Sequence, residues 1–302
     1  VIIISFLAFL FNADTKDTFR MSLTSFIGFS NIYLYLQSND YFAQSTELNP
    51  LIHTWSLGIE EQFYLLFPFL VWFTGFKKNK IKSINNLYLL LLALTITSLI
   101  IFCYLYLRDF PAAYYLLPSR YWEISLGCLV YLISINYLSL RIKKLENISS
   151  LFLIFLMLAV IIFDLNSAIL STILINFLSC MLLISIQKGK NYRLIFSNKI
   201  LIYTGKISYS LYLWHWGILS ISRLTIGIYW WTIPFQIILI LMISIFSYEK
   251  IENLFRLKFE KYSRKVFFSG VLIILSSSMT LVYSLNKFST NLFLGRKKAN
   301  YF

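Results

Sequence analysis

Apolar residues along this chain come in long blocks separated by short polar stretches. The blocks occupy 57–76, 86–107, 120–138, 150–164, 168–186, 202–222, 229–247 and 266–285, and residues 1–11 read as the end of another. Each approaches the length at which a helix, rising about 1.5 Å per residue, crosses a hydrocarbon layer about 30 Å thick. Residues 22–36 are shorter and are interrupted by Ser25, Ser30 and Asn31. At that length they are ambiguous between a full crossing and a re-entrant or half-inserted helix. The fold class expected is all-α: a polytopic transmembrane helix bundle of about nine or ten membrane segments.

Composition sharpens this picture. Hydrophobic residues make up 58% of the chain, aromatic residues 19% and charged residues only 13%. A soluble domain cannot bury that much apolar surface. The net charge of +14 raises the question of nucleic acid. Its distribution answers it, because the basic residues cluster in alternate loops between apolar blocks. One set holds Lys77, Lys78, Lys80 and Lys82; the next, Arg141, Lys143 and Lys144; the third, Lys188, Lys190, Arg193 and Lys199. The last, after 247, holds Lys250, Arg256, Lys258, Lys261, Arg264 and Lys265. The intervening loops at 37–56, 108–119, 165–167 and 223–228 contain only Arg108 and Arg223. The positive-inside rule therefore makes the first set cytoplasmic and the second external, with no nucleic-acid partner. The tail after 285 is external despite Lys287, Arg296, Lys297 and Lys298, since long external segments tolerate such charge.

Cys103, Cys128 and Cys180 all lie inside apolar blocks and have no metal-ligand or disulfide spacing, so they are expected as packing residues. No His, Cys and carboxylate set has the spacing of a metal site. Val1 opens in the middle of an apolar block, without an initiator Met or a signal-peptide pattern. The expectation is that the true N-terminus lies upstream.

The polar groups of the blocks sit in particular places. Residues 49–68 read NPLIHTWSLGIEEQFYLLFP. Asn49-Pro50 predicts a helix start, with Asn as cap and Pro in the first turn. From that start His53, Ser56, Glu60 and Tyr64 share one face, and Glu61 lies about 100° further round. In SRYWEISLG, Arg120 and Glu123 are three apart and can pair. In KISYSLYLWHWG, Ser208, Tyr212 and His215 form one stripe. The loop charges place all of these toward the external side, and ionisable groups within spans usually face a polar cavity or each other. A shared, partly hydrated pocket is the expectation. Plainer roles compete with it: Trp55, Trp214 and Trp216 as interfacial anchors, His215 as a structural hydrogen-bonder, and Arg120 with Glu123 as a local ion pair. The adjacent carboxylates Glu60 and Glu61 disfavour each other's charge and are harder to read as structural.

These motifs together resemble the acyltransferase 3 family of multi-span bacterial membrane proteins. The likeness rests on NPLIHTWSLGIEEQFYLLFP at 49–68, RYWEISLGCLVYL at 120–132, GKISYSLYLWHWGIL at 205–219 and SYEKIENLFR at 247–256. The resemblance implies a core of about ten spans in the bacterial cytoplasmic (inner) membrane. That core would move an acyl group, commonly acetyl, from acyl-CoA onto a hydroxyl of an extracytoplasmic polysaccharide or lipopolysaccharide. Acetyl-CoA would be a co-substrate, with no bound cofactor; the partners would be the lipid bilayer, the glycan acceptor and acyl-CoA. Some members carry one further span and an external SGNH-hydrolase-like domain. On that pattern residues 1–258 form the membrane domain, 259–285 an additional span, and 286–302 an external tail leading toward such a domain. The family's catalytic His belongs to the first span, after a basic residue, and that span lies upstream of Val1. Neither His53 nor His215 replaces it by motif.

Acyl transfer needs a base for the hydroxyl proton and a donor for the developing oxyanion. With the base upstream, Glu60 or Glu61 is expected to support it or to hold the acceptor. His53, Trp55, Arg120, Glu123, Ser208, Tyr209, Tyr212, His215 and Trp216 are the candidate substrate-binding residues. A transporter or flippase of a glycan precursor is the alternative, since it too wants a polar cavity within the membrane. Transporters are often built from inverted repeats and helices broken by Gly and Pro. This chain has 10 Gly, 5 Pro and no visible repeat. Within the enzyme class the runner-up is another group transfer, such as succinylation.

Overall fold

The computed structural model describes residues 2–11, 15–38, 48–75, 80–135, 149–163, 167–188, 197–253 and 264–292. Several sequence expectations fall outside them: much of the basic-loop charge, including Arg141, Lys143, Lys144, Lys190, Arg193, Arg256, Lys258 and Lys261, and the tail from 293 onward. Among the described residues the chain is helical, with no strand. The helices are α1 (Ile2–Phe11), α2 (Thr15–Phe26), α3 (Ser30–Gln37), α4 (Thr54–Phe73), α5 (Lys80–Arg108), α6 (Phe110–Tyr115) and α7 (Leu117–Ile135). There follow α8 (Ser150–Ile162), α9 (Ala168–Lys188), α10 (Lys199–Thr225), α11 (Ile233–Phe246, continuing as a π-turn over Ser247–Glu252) and α12 (Arg264–Leu292).

Three of these are long and apolar enough to cross a membrane: Lys82–Arg108, Ala168–Ile186 and Ile233–Glu252. That establishes membrane character, while the expected count of nine or ten segments is not reached on this measure. Helices α4, α7 and α10 have the length but include Glu60 and Glu61, Arg120 and Glu123, and Lys206, His215 and Arg223, which lower their hydropathy. Many outward-facing residues are large and apolar. Phe69, Trp72 and Phe73 on α4, and Ile100, Tyr104 and Leu107 on α5, are all largely exposed. Such a surface suits hydrocarbon rather than water.

The chain forms two compact units, one from residues 1–58 and 203–302, the other from residues 59–202. The boundaries fall inside α4 and α10.

In the unit of residues 59–202, α5 and α7 pack along their lengths, with α6 and α9 against them. Phe63, Leu87, Leu91, Tyr121, Leu129 and Leu132 form the larger core, and Phe102, Ala113 and Trp122 a smaller one. Small hydroxyls stitch α5 to α7. Thr95 Oγ1 and Ser125 Oγ lie 2.8 Å apart, Ser98 Oγ donates to the Pro118 carbonyl at 2.7 Å, and the Trp122 N–H donates to Ser98 Oγ at 3.0 Å. In a membrane, where apolar contact alone favours no particular partner, short side chains and interhelical hydrogen bonds supply the specificity.

In the other unit, α12 packs on α1 and α2 around Phe9, Val282 and Leu285. The segment 22–36, ambiguous in the sequence between a full crossing and a re-entrant or half-inserted helix, is broken in two. Gly28 takes φ +71°, a left-handed conformation open to glycine, and ends α2 before α3 begins. Gly58 of α4 approaches this turn so closely that a β-carbon would lie 3.0 Å from the Gly28 carbonyl oxygen. The helix expected from Asn49 starts instead at Thr54. Residues 50–53 form a turn, because the Asn49 side chain caps only the Leu51 N–H, at 3.0 Å, and closes a local loop. His53 therefore stands before α4, not on its face.

Candidate active site

The Asn49–His53 turn is held from several directions. Trp216 Nε1 of α10 donates to the Asn49 carbonyl at 3.0 Å, and Ser220 Oγ, one turn on, donates to the Leu48 carbonyl at 2.9 Å. Thr54 Oγ1 donates to the Leu51 carbonyl at 2.7 Å. Tyr212, one turn before Trp216, donates its phenolic proton to the His53 carbonyl. That proton being spent, the Ser56 hydroxyl, 2.5 Å from the Tyr212 oxygen, is the donor of their mutual bond. A stripe of α10 at positions 212, 216 and 220 thus grips a turn that is distant in sequence.

The two histidines of the chain meet here. The His53 and His215 rings have centroids 5.7 Å apart, and Tyr212 lies 5.4 Å from the first and 5.5 Å from the second. His215 Nδ1 is 2.7 Å from the Tyr212 carbonyl and 3.2 Å from that of Leu211. Carbonyls only accept, so Nδ1 carries a hydrogen and the neutral ring keeps its lone pair at Nε2. His53 is buried, and neither ring nitrogen has a hydrogen-bond partner of good geometry. It lies in the turn outside the spanning segment. Burial first, and then the neighbouring His215 ring, push its imidazole down to about 4, against a weaker opposite pull from the Leu213 backbone. It is neutral at ordinary pH and can donate from one ring nitrogen while accepting at the other.

The remaining predicted residues divide. Trp216 belongs to this cluster as a strut: its N–H is used by the turn, and the Arg223 guanidinium sits 5.3 Å from its ring centroid. Trp55 is half-buried in the first turn of α4. Ser208 and Tyr209 are exposed, and Ser208 Oγ donates to its own helix at Gly205. The inward serine is Ser210, which donates to Glu252 Oε2 at 3.2 Å. Glu60, Glu61, Arg120 and Glu123 belong to the other unit. Both adjacent glutamates are exposed on α4. Arg120 and Glu123 pair as the spacing predicts, at 2.5 Å. Arg120 Nε also donates to the Tyr114 carbonyl at 3.2 Å, and its guanidinium lies 5.0 Å from the Tyr114 ring centroid.

The sequence reading missed Asp17. It lies in a polar stretch with no apolar period, yet it is buried and accepts from Tyr33, Gln37 and Asn49. Its only local sign is the acidic position in the first turn of α2.

The segments that build this cluster and the Arg120 pair are the ones that carried the resemblance. A family model described as an acyltransferase domain matches residues 1–249. The chain belongs to the acyltransferase 3 family. O-acetyltransferase OatA of Staphylococcus aureus (strain NCTC 8325 / PS 47) is 30% identical over 210 residues, which are 66% of this chain and 34% of that protein. A putative O-acetyltransferase, SACOL0978, of S. aureus strain COL is 29% identical over 204 residues, 63% of this chain and 33% of that protein. The chain thus spans about a third of the length of the curated relatives it matches. No solved structure matches it.

Proposed function

We propose that this acyltransferase is the multi-pass membrane part of an O-acetyltransferase of the bacterial cytoplasmic membrane. It moves acetyl from acetyl-CoA, taken from the cytoplasmic side, to a hydroxyl of an extracytoplasmic polysaccharide. The names of its relatives support transfer of acetyl to an oxygen, while acetyl-CoA as donor and a polysaccharide as acceptor are what the resemblance implies. The observation that carries the reading is the buried His53–Tyr212–His215 cluster with Ser56, assembled from two of the matched motifs.

In the reaction the acceptor oxygen bonds to the acetyl carbon, the carbon–sulfur bond breaks, and the hydroxyl proton passes through a base to the departing thiolate. The thioester is already activated, so alignment of the two substrates accounts for much of the rate. His215 Nε2 offers the acceptor hydroxyl a lone pair whose direction is set by the Nδ1 bonds. His53 supplies a neutral donor beside it. Glu60 and Glu61 support the base or hold the acceptor sugar.

Vesicles containing the full-length protein, supplied with acetyl-labelled acetyl-CoA, should show label on external glycan. Glu60→Gln combined with Glu61→Gln should abolish that label while leaving membrane insertion intact. Glycan crossing without label would sink the reading and favour a transporter.

A further inference from the structure

Asp17 is a buried carboxylate on α2, far in sequence from every motif that carried the resemblance. Its Oδ1 accepts from Tyr33 Oη at 2.5 Å and Gln37 Nε2 at 2.7 Å, and its Oδ2 accepts from Asn49 Nδ2 at 3.1 Å. Asn49 is fully engaged in turn. Its Oδ1 takes the Leu51 N–H at 3.0 Å and its main-chain carbonyl takes Trp216 Nε1 at 3.0 Å. The Leu51 N–H also settles which end of the Asn49 amide is oxygen, because that N–H can only donate. Four residues on, the same turn delivers His53, whose ring nitrogens have no hydrogen-bond partner of good geometry to fix them. The position of the imidazole is therefore inherited from the backbone, and the backbone is anchored at Asn49.

We propose that Asp17 is a positioning residue for His53, acting through the Asn49 side chain to set the turn that presents the ring beside His215 and Tyr212. The proposal rests on the reading of that cluster as part of the acyl-transfer site. The donor and acceptor pattern makes a specific demand. Asp17→Asn sets one amide NH2 against another, and Asn49 cannot turn over without facing its NH2 to the Leu51 N–H. Asn49→Asp sets two carboxylates together. The exchange of both, Asp17→Asn with Asn49→Asp, restores the four bonds named above: the new amide oxygen accepts from Tyr33 and Gln37, its NH2 donates to position 49, and the new carboxylate still takes the Leu51 N–H.

The test uses the full-length protein in its native membrane. Diethyl pyrocarbonate labelling of His53, read by peptide mass spectrometry, reports the closure of the turn independently of activity. His215 serves as the internal comparison. Each single variant should raise the rate of His53 labelling about tenfold, the effect of losing one buried hydrogen bond on local opening. The double exchange should return it to the wild-type rate. In the acetyl-transfer assay the single variants should lower kcat with KM little changed, and the exchange should restore kcat. Labelling that is the same in wild type and both single variants, or a double exchange as open as either single, overturns the proposal. If a single variant fails to accumulate, recovery of folded protein with protected His53 in the double exchange supports it, and failure to recover overturns it. Should the labelling pattern hold while wild type transfers no acetyl group, the positioning role stands and the acyl-transfer reading falls.

Discussion

The two units of this protein handle polar groups in opposite ways. In the unit of residues 59–202 the charged pair is local: Arg120 and Glu123 are one helical turn apart on α7 and only partly shielded. The bonds joining its helices are hydroxyl contacts such as Thr95 with Ser125. In the other unit the carboxylate of Asp17 on α2 is buried, and its partners come from two further segments, Tyr33 and Gln37 from α3 and Asn49 from the turn before α4. A pair made along one helix adds little specificity, because the helix brings both ends together whatever the fold does. Such a set of bonds forms only when α2, α3 and the turn are all in place. The first arrangement decorates a helix; the second fixes a loop.

Three substitutions test that contrast, from the largest effect downward. Tyr212→Phe removes the one hydroxyl joining His53 and Ser56, leaving a carbonyl and a hydroxyl without that partner. It should cost about 1–3 kcal/mol of stability, read as earlier thermal unfolding in detergent, with acetyl transfer falling in parallel. Thr95→Val keeps the shape of a side chain on α5 but deletes its bond to Ser125. A loss of about 0.6 kcal/mol is expected, typical of an interhelical hydrogen bond in a membrane protein. Glu123→Gln should change stability by no more than about 0.5 kcal/mol, as expected for a local i,i+3 pair. A Glu123→Gln effect larger than that of Tyr212→Phe would reverse the comparison.

Some of this was legible in the chain before any fold was seen. The all-helical character and membrane setting follow from apolar blocks whose lengths match a hydrocarbon layer. The Arg120–Glu123 pair follows from helical spacing alone. The stripe on α10 was half legible: Tyr212 and His215 do meet His53, while Ser208 faces outward and Ser210 takes the inward place. The helix start at Asn49 was misread, because an Asn-Pro pair opens a turn as readily as a helix, and the Leu51 N–H decides between them only once the turn exists.

What the sequence by itself determined is whatever depends on near neighbours: helix after helix, the apolar faces, the family motifs and the ion pair one turn apart. Only the tertiary structure decided that two histidines 162 residues apart share one cluster, and that Asp17 anchors the turn carrying one of them. The reason is physical. Periodicity and spacing record contacts within a helix, where geometry is fixed by the backbone. A hydrogen bond between distant segments leaves no period, and its donors and acceptors are ordinary residues until packing brings them within reach.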